Sequence, residues 1–193
     1  MMSTTIAPSQ SVTSAMPRRK LWTRKEYEHL IDLGAFDPEQ RLELIEGEII
    51  EKMPQNEPHE LGIMLCTEAL RRIFQDGYVV RAQLPLSVGT KSVPEPDFAV
   101  VEGTVRDFAK MRPSSALLII EVSDSTLLYD RTAKARIYAR ALVPQYWILN
   151  LNERVLEVSL TPIRGAYTER KTYAETESVL LNGQSIAIKD LLP

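Results

Sequence analysis

The chain has 193 residues, 44% of them hydrophobic and 25% charged, with a formal net charge of −3. That length suits one domain with a sizeable core, and the balance excludes a largely disordered chain and a broadly basic nucleic-acid coat. A single cysteine, Cys66, excludes an internal disulfide, and with only two histidines, His29 and His59, any metal site has to be built from oxygen ligands.

Residues 1–20 are rich in Ser, Thr and Pro and end on Arg18-Arg19-Lys20. Their composition predicts a disordered tail, with a basic arm touching phosphates as the other reading. No apolar run approaches roughly 20 residues, and the N-terminus lacks the continuous apolar stretch of a signal peptide, so a cytoplasmic protein without membrane contact is expected. The remainder, 21–193, reads as one domain.

A helix is predicted from Trp22 to Ile31, with Thr23 and Glu26 forming a capping box and Gly34 closing it. Residues Arg41 to Met53 alternate in polarity, and Glu46-Gly47 reads as the bend of a hairpin. Asn56 and Pro58 start a second helix, along which His59, Ile63, Cys66, Leu70 and Ile73 form one stripe. Strands are predicted at Tyr78–Ala82, Leu84–Val88, Asp97–Val101 and Leu117–Val122. The last is a continuous apolar run, as a central strand covered on both faces requires. A helix over Leu127–Leu142 follows, then a hairpin of Tyr146–Leu151 and Val155–Leu160 around Asn152-Glu153. Two short strands, near Tyr167–Tyr173 and Ser185–Ile188, are expected to finish the sheet.

Asp97 opens one apolar strand and Glu121 closes another. If the two strands pair antiparallel, both carboxylates meet at one edge of the sheet. With a backbone carbonyl such as that of Val122 they would form a hard oxygen site suited to Mg²⁺. Singly, Glu121 is equally well explained as a strand end reaching water, and Asp97 better so. Lys134 lies on the following helix, on one face with Asp130, Ile137, Tyr138 and Ala141. It could offset charge on a reacting phosphate, or simply make an Asp130–Lys134 helix pair. Glu43, His59 and Gln83 are accessory candidates: an extra acid, a histidine facing the sheet or a satisfied one at a helix start, and an amide beside the Leu84 segment. Arg131, Arg136 and Arg140 could contact a phosphate backbone or line a solvated helix face. Tyr146 and Trp147 read as core aromatics.

The run Pro96-Asp97-Phe98-Ala99-Val100-Val101, then Ile120-Glu121-Val122-Ser123, Asp130…Lys134…Tyr138 and Tyr146-Trp147-Ile148 resembles the Uma2 family, within the PD-(D/E)xK nuclease superfamily. Glu43-Leu44-Ile45-Glu46-Gly47 and His59 fit the same pattern, so the resemblance covers roughly residues 21–160. It implies a restriction-endonuclease-like α/β fold: a mixed central β-sheet flanked by helices, here with an extra N-terminal hairpin and C-terminal strands. It also implies that Asp97 and Glu121, with Val122, hold Mg²⁺ or alternatively Mn²⁺, that DNA is the substrate, and that the chain is a homodimer. The superfamily's lysine two positions after the acid is Ser123 here, and the resemblance gives its role to Lys134.

Two functions are therefore carried forward. One is a metal-dependent endonuclease hydrolysing phosphodiester bonds. The other is a non-catalytic homodimeric interaction module on the same fold. A small-molecule hydrolase has little support, since no nucleophile elbow, Gly-rich phosphate loop or His/Cys pair is present.

Overall fold

The computed structural model describes residues 18–193. The disordered tail expected over 1–20 falls outside them except for its basic end, where Arg19 pairs with Glu48 and Lys20 with Glu26 at the surface. Helix α1 (Arg24–Asp32) begins at Thr23, whose side chain and that of Glu26 make the expected capping box. Strands β1 (Leu42–Ile45) and β2 (Glu48–Glu51) form an antiparallel hairpin. Its turn residues Glu46 and Gly47 have φ of 51° and 91°, the left-handed pair that a two-residue hairpin turn needs. A side chain at Gly47 would also press on Leu21, with a Cβ–Cβ approach of 2.8 Å. Helix α2 (Glu57–Ile73) is capped by Asn56, which accepts from the His59 amide, and carries Pro58 in its first turn.

Six strands then build the central sheet in chain order. These are β3 (Tyr78–Ala82), β4 (Phe98–Glu102), β5 (Leu118–Ser123), β6 (Gln145–Asn150), β7 (Val155–Ile163) and β8 (Ala166–Ala174). All neighbours are antiparallel except β5 and β6, which are parallel. A parallel pair needs a crossover. Here it is a helical passage made of α3 (Leu127–Tyr129), a π turn (Asp130–Lys134) and α4 (Ala135–Arg140). One sheet face, with Phe98, Ile120, Trp147 and Leu156, packs on Cys66, Leu70 and Ile73 of α2. The other, with Ala99, Ile119 and Tyr146, packs on Ala135, Ile137 and Tyr138 of the crossover and on Ile45 of the N-terminal hairpin. Every residue of β5 is buried, as its apolar run requires. No helix among the described residues is long and apolar enough to cross a membrane.

Three sequence expectations need correction. Leu84–Val88 is extended but joins no ladder. Pro85 has no N–H to donate, and the Leu86 and Val88 amides are taken by Pro94 and Ser92 carbonyls in a local loop. The helix expected over Leu127–Leu142 is not a uniform α-helix. The Ala135 amide reaches back to the Asp130 carbonyl, which widens one turn and sets both Asp130 and Lys134 toward the sheet. The last strands do not both finish the sheet either. Only β8 joins it, while β9 (Ser178–Leu181), which sequence reading missed, pairs with β10 (Gln184–Ala187) as a separate hairpin. That hairpin and its tail place Val179, Ile186 and Leu191 over the α2-side core.

Because this hairpin is a lid on apolar surface, a chain ended at Ala174 should lose cooperative thermal unfolding and bind a hydrophobic dye. A truncated chain that melts like the full one would contradict this packing.

Candidate active site

Phe98 of β4 lies opposite Ile120 of β5, so the residue before β4, Asp97, faces Glu121 across the pair. The contact is direct. The Asp97 amide donates to Glu121 Oε2 at 3.3 Å, and the Val122 amide donates to Asp97 Oδ2 at 2.9 Å. The antiparallel pairing assumed from sequence is therefore present, and the two carboxylates lie side by side. In a strand the N–H and C=O of one residue leave on the same side, so the Val122 carbonyl leaves β5 on the side of β4.

The other sequence candidates converge on this pair. His59 Nε2, at the start of α2, is 3.2 Å from Asp97 Oδ2, and Gln83 Nε2 donates to Asp97 Oδ1 at 3.3 Å. Lys134 Nζ donates to Glu121 Oε1 at 3.1 Å and to Glu43 Oε1 at 2.9 Å. The Asp130–Lys134 helix pair is not made. Asp130 instead accepts from Ser123 Oγ and Thr126 Oγ1 at 2.8 and 2.7 Å, which ties the crossover to the end of β5. Ser123 thus stands where the superfamily's lysine is expected and serves to anchor the segment that carries Lys134.

Glu43, Asp97, Glu121, Asp130 and Lys134 are each exposed by less than 5%. Four buried carboxylates face one buried ammonium, an imbalance that is costly in a low-dielectric interior. Burial pushes the Glu121 carboxyl up to about 8, opposed by Lys134 and reinforced by Asp130, Asp97 and Glu43. Burial works against the Lys134 ammonium as well, but Glu121, Glu43 and Asp130 outweigh it and keep that group charged. For Asp97 burial is outweighed by the His59 hydrogen bond and by nearby positive charge, so its carboxyl stays below the usual range.

Among the described residues no three His, Cys, Asp or Glu side chains close on a common metal position. The donors expected from sequence are two carboxylates and a backbone carbonyl. That is too few for a closed transition-metal cage, but it suits a cation such as Mg²⁺ that keeps several waters. The crowding of buried carboxylates around the Asp97–Glu121 edge fits a site that takes up a cation.

A cavity of about 250 Å³ opens onto the pair, with Asp97, Glu121 and Lys134 among its lining residues. Sequence reading missed several of its features. Tyr138 Oη donates to Glu121 Oε1 at 2.8 Å, and only its place on the Lys134 face hinted at this. Lys52 lines the cavity and donates to the Glu95 carbonyl at 2.8 Å. Asn56, expected only as a helix cap, also lines the cavity and donates to Asp124. The arginines behave differently from the other candidates. Arg131 is held by Glu157, and Arg136 and Arg140 are both held by Glu46, away from the carboxylate pair.

The Uma2 family, described as "Putative restriction endonuclease", matches residues 24–189. A solved structure described as a "putative nuclease belonging to DUF820" from Anabaena variabilis superposes with a TM-score of 0.69 at 18% identity, over 88% of this chain and 96% of that one. At that identity the likeness establishes the fold. No curated protein matches the chain. The family match spans most of the chain and the architecture agrees with it, so this protein belongs to the Uma2 family of restriction-endonuclease-like proteins.

Proposed function

We propose that the protein is a metal-dependent nuclease that hydrolyses phosphodiester bonds in DNA. The observation that carries this reading is the contact between Asp97 and Glu121 at one sheet edge, with the charged Lys134 ammonium 3.1 Å from Glu121. Membership of a family described as "Putative restriction endonuclease" supports it. In this reading Asp97, Glu121 and the Val122 carbonyl hold Mg²⁺ or Mn²⁺. When bound, the ion polarises the phosphate and acidifies a water.

The chain's own residues do the rest. Tyr138 and Lys134 both bond Glu121 Oε1, which fixes that carboxylate and leaves its other oxygen toward Asp97. His59 and Gln83 orient Asp97 from opposite oxygens. Lys134 lines the cavity and places a fixed positive charge beside the position of the phosphate, where negative charge grows in the transition state. Glu43 holds the lysine there from the N-terminal hairpin. Water adds to phosphorus, the P–O bond to the leaving sugar breaks, and a phosphomonoester and an alcohol result.

Asp97→Asn and Glu121→Gln keep the shapes of these side chains. Each should reduce Mg²⁺-dependent cleavage of plasmid and oligonucleotide DNA by at least about a hundredfold while leaving the far-ultraviolet spectrum unchanged. Full activity in either variant contradicts the mechanism, and absence of any cleavage or Mg²⁺ binding by the natural chain favours a non-catalytic module.

Lys134→Met strands Glu43 and Glu121 in the interior. Urea unfolding at pH 7 should show a loss of about 3–5 kcal/mol, as expected when one partner of a buried ion pair is removed. Millimolar Mg²⁺ should restore part of this loss, since a ligand that binds only the folded state raises its stability. An unchanged urea midpoint would show that the lysine does not offset these carboxylates.

A further inference from the structure

We infer that the substrate enters this site as a single polynucleotide strand rather than as intact duplex, an inference that rests on the nuclease reading above. Three observations support it. The first is depth. Asp97 and Glu121 are exposed by only 4% and 3%, at the floor of a cavity of about 250 Å³. That volume falls below the roughly 300–1,000 Å³ of ordinary small-molecule pockets and leaves no room for a double helix. Duplex DNA is a stiff rod whose phosphates follow its outer surface, so none can drop into such a hole unless the helix deforms.

The second observation is a bridge at the cavity. Asn56, at the end of the β2–α2 segment, donates from Nδ2 to Asp124 Oδ2 at 2.6 Å. Asp124 follows β5, and both residues line the cavity. The bridge is anchored at each end. Asn56 Oδ1 caps α2 by accepting from the His59 amide at 3.1 Å, and the Asp124 carbonyl accepts from Asn152 Nδ2 at 2.9 Å. Two chain segments that both line the cavity are thus tied to each other.

The third is the character of the walls. Ile50, Met53, Pro54 and Tyr129 give an apolar lining above the charged floor. An unstacked base can pack on such a wall, whereas the bases of a duplex are already stacked and paired. The charges at the cavity agree with this. Glu51 and Asp124 also line it, and the arginines of the crossover are held by Glu46 and Glu157. The three crossover arginines are thus not directed at the phosphates of a duplex, which carries one charge per about 1.7 Å of axis.

The test is binding of fluorescein-labelled oligonucleotides by anisotropy, in Ca²⁺ to hold the ion site without turnover, and again in EDTA. Single-stranded DNA, single-stranded RNA of the same sequence and a blunt duplex are compared at one ionic strength. At least one strand should bind about tenfold or more tighter than the duplex, and the stronger of the two identifies the sugar. Asn56→Asp keeps the helix cap but sets a carboxylate against Asp124, and Asp124→Ala removes the bridge from the other side. Both should shrink the gap between strand and duplex. Equal or tighter duplex binding overturns the inference, and so does binding of neither. An unchanged gap in both variants removes the bridge from the argument. A chain that cleaves duplex as fast as strand, and loses that cleavage in Glu121→Gln, keeps the nuclease reading and loses this one.

Discussion

A lysine ammonium exposed by only 4% needs negative charge around it, and Lys134 finds it in two segments far away in sequence. Its Nζ joins Glu43 of the N-terminal hairpin to Glu121 of the central strand, while its own backbone lies in the crossover between β5 and β6. Three parts of the fold are therefore held at one point. None of them can shift without leaving a charge buried and unpaired, at a cost of about 3–5 kcal/mol. The π turn belongs to the same constraint. It widens the helix where Asp130 and Lys134 must both face inward, and Asp130 is fixed through Ser123 and Thr126 to the end of β5.

This arrangement gives Ser123 a structural part in place of the superfamily's lysine. A lysine two positions after Glu121 would project from the same strand. Here the cation comes from a separate element and reaches the same carboxylate, held by the Ser123–Asp130 anchor. A cation therefore meets Glu121 from outside its own strand, so it is found by geometry and not by sequence position. Four buried carboxylates crowd one buried lysine, and burial answers part of that crowding by raising the Glu121 carboxyl to about 8, while His59 and Lys52 offset Asp97.

The sequence made some of this legible and hid the rest for identifiable reasons. Asp97 and Glu121 could be found because each interrupts an apolar strand at its end, and strand pairing turns two such ends into neighbours. The N-terminal capping box and the Glu46-Gly47 turn were legible because they are short-range patterns. Lys134 was ambiguous, since its spacing from Asp130 equally describes a surface pair, and only the fold shows that the ammonium is buried against Glu43 and Glu121. The partners of Arg136 and Arg140 lie at Glu46, on the far side of the chain, where no periodicity reaches. The Leu84–Val88 segment looked like a strand because side-chain type was read without following where its amides go. Strand β9 was missed because four residues with Leu180 exposed carry too little pattern.

The central claim is that the Asp97–Glu121 edge is an ion site. It is tested most directly by anomalous diffraction from crystals equilibrated with Mn²⁺. The account predicts one strong anomalous peak within bonding reach of both carboxylates and the Val122 carbonyl, with Lys134 beside it, and loss of that peak in Asp97→Asn crystals. A peak held elsewhere, or carboxylates still closed on Lys134 and Tyr138 with no ion at millimolar Mn²⁺, would contradict it.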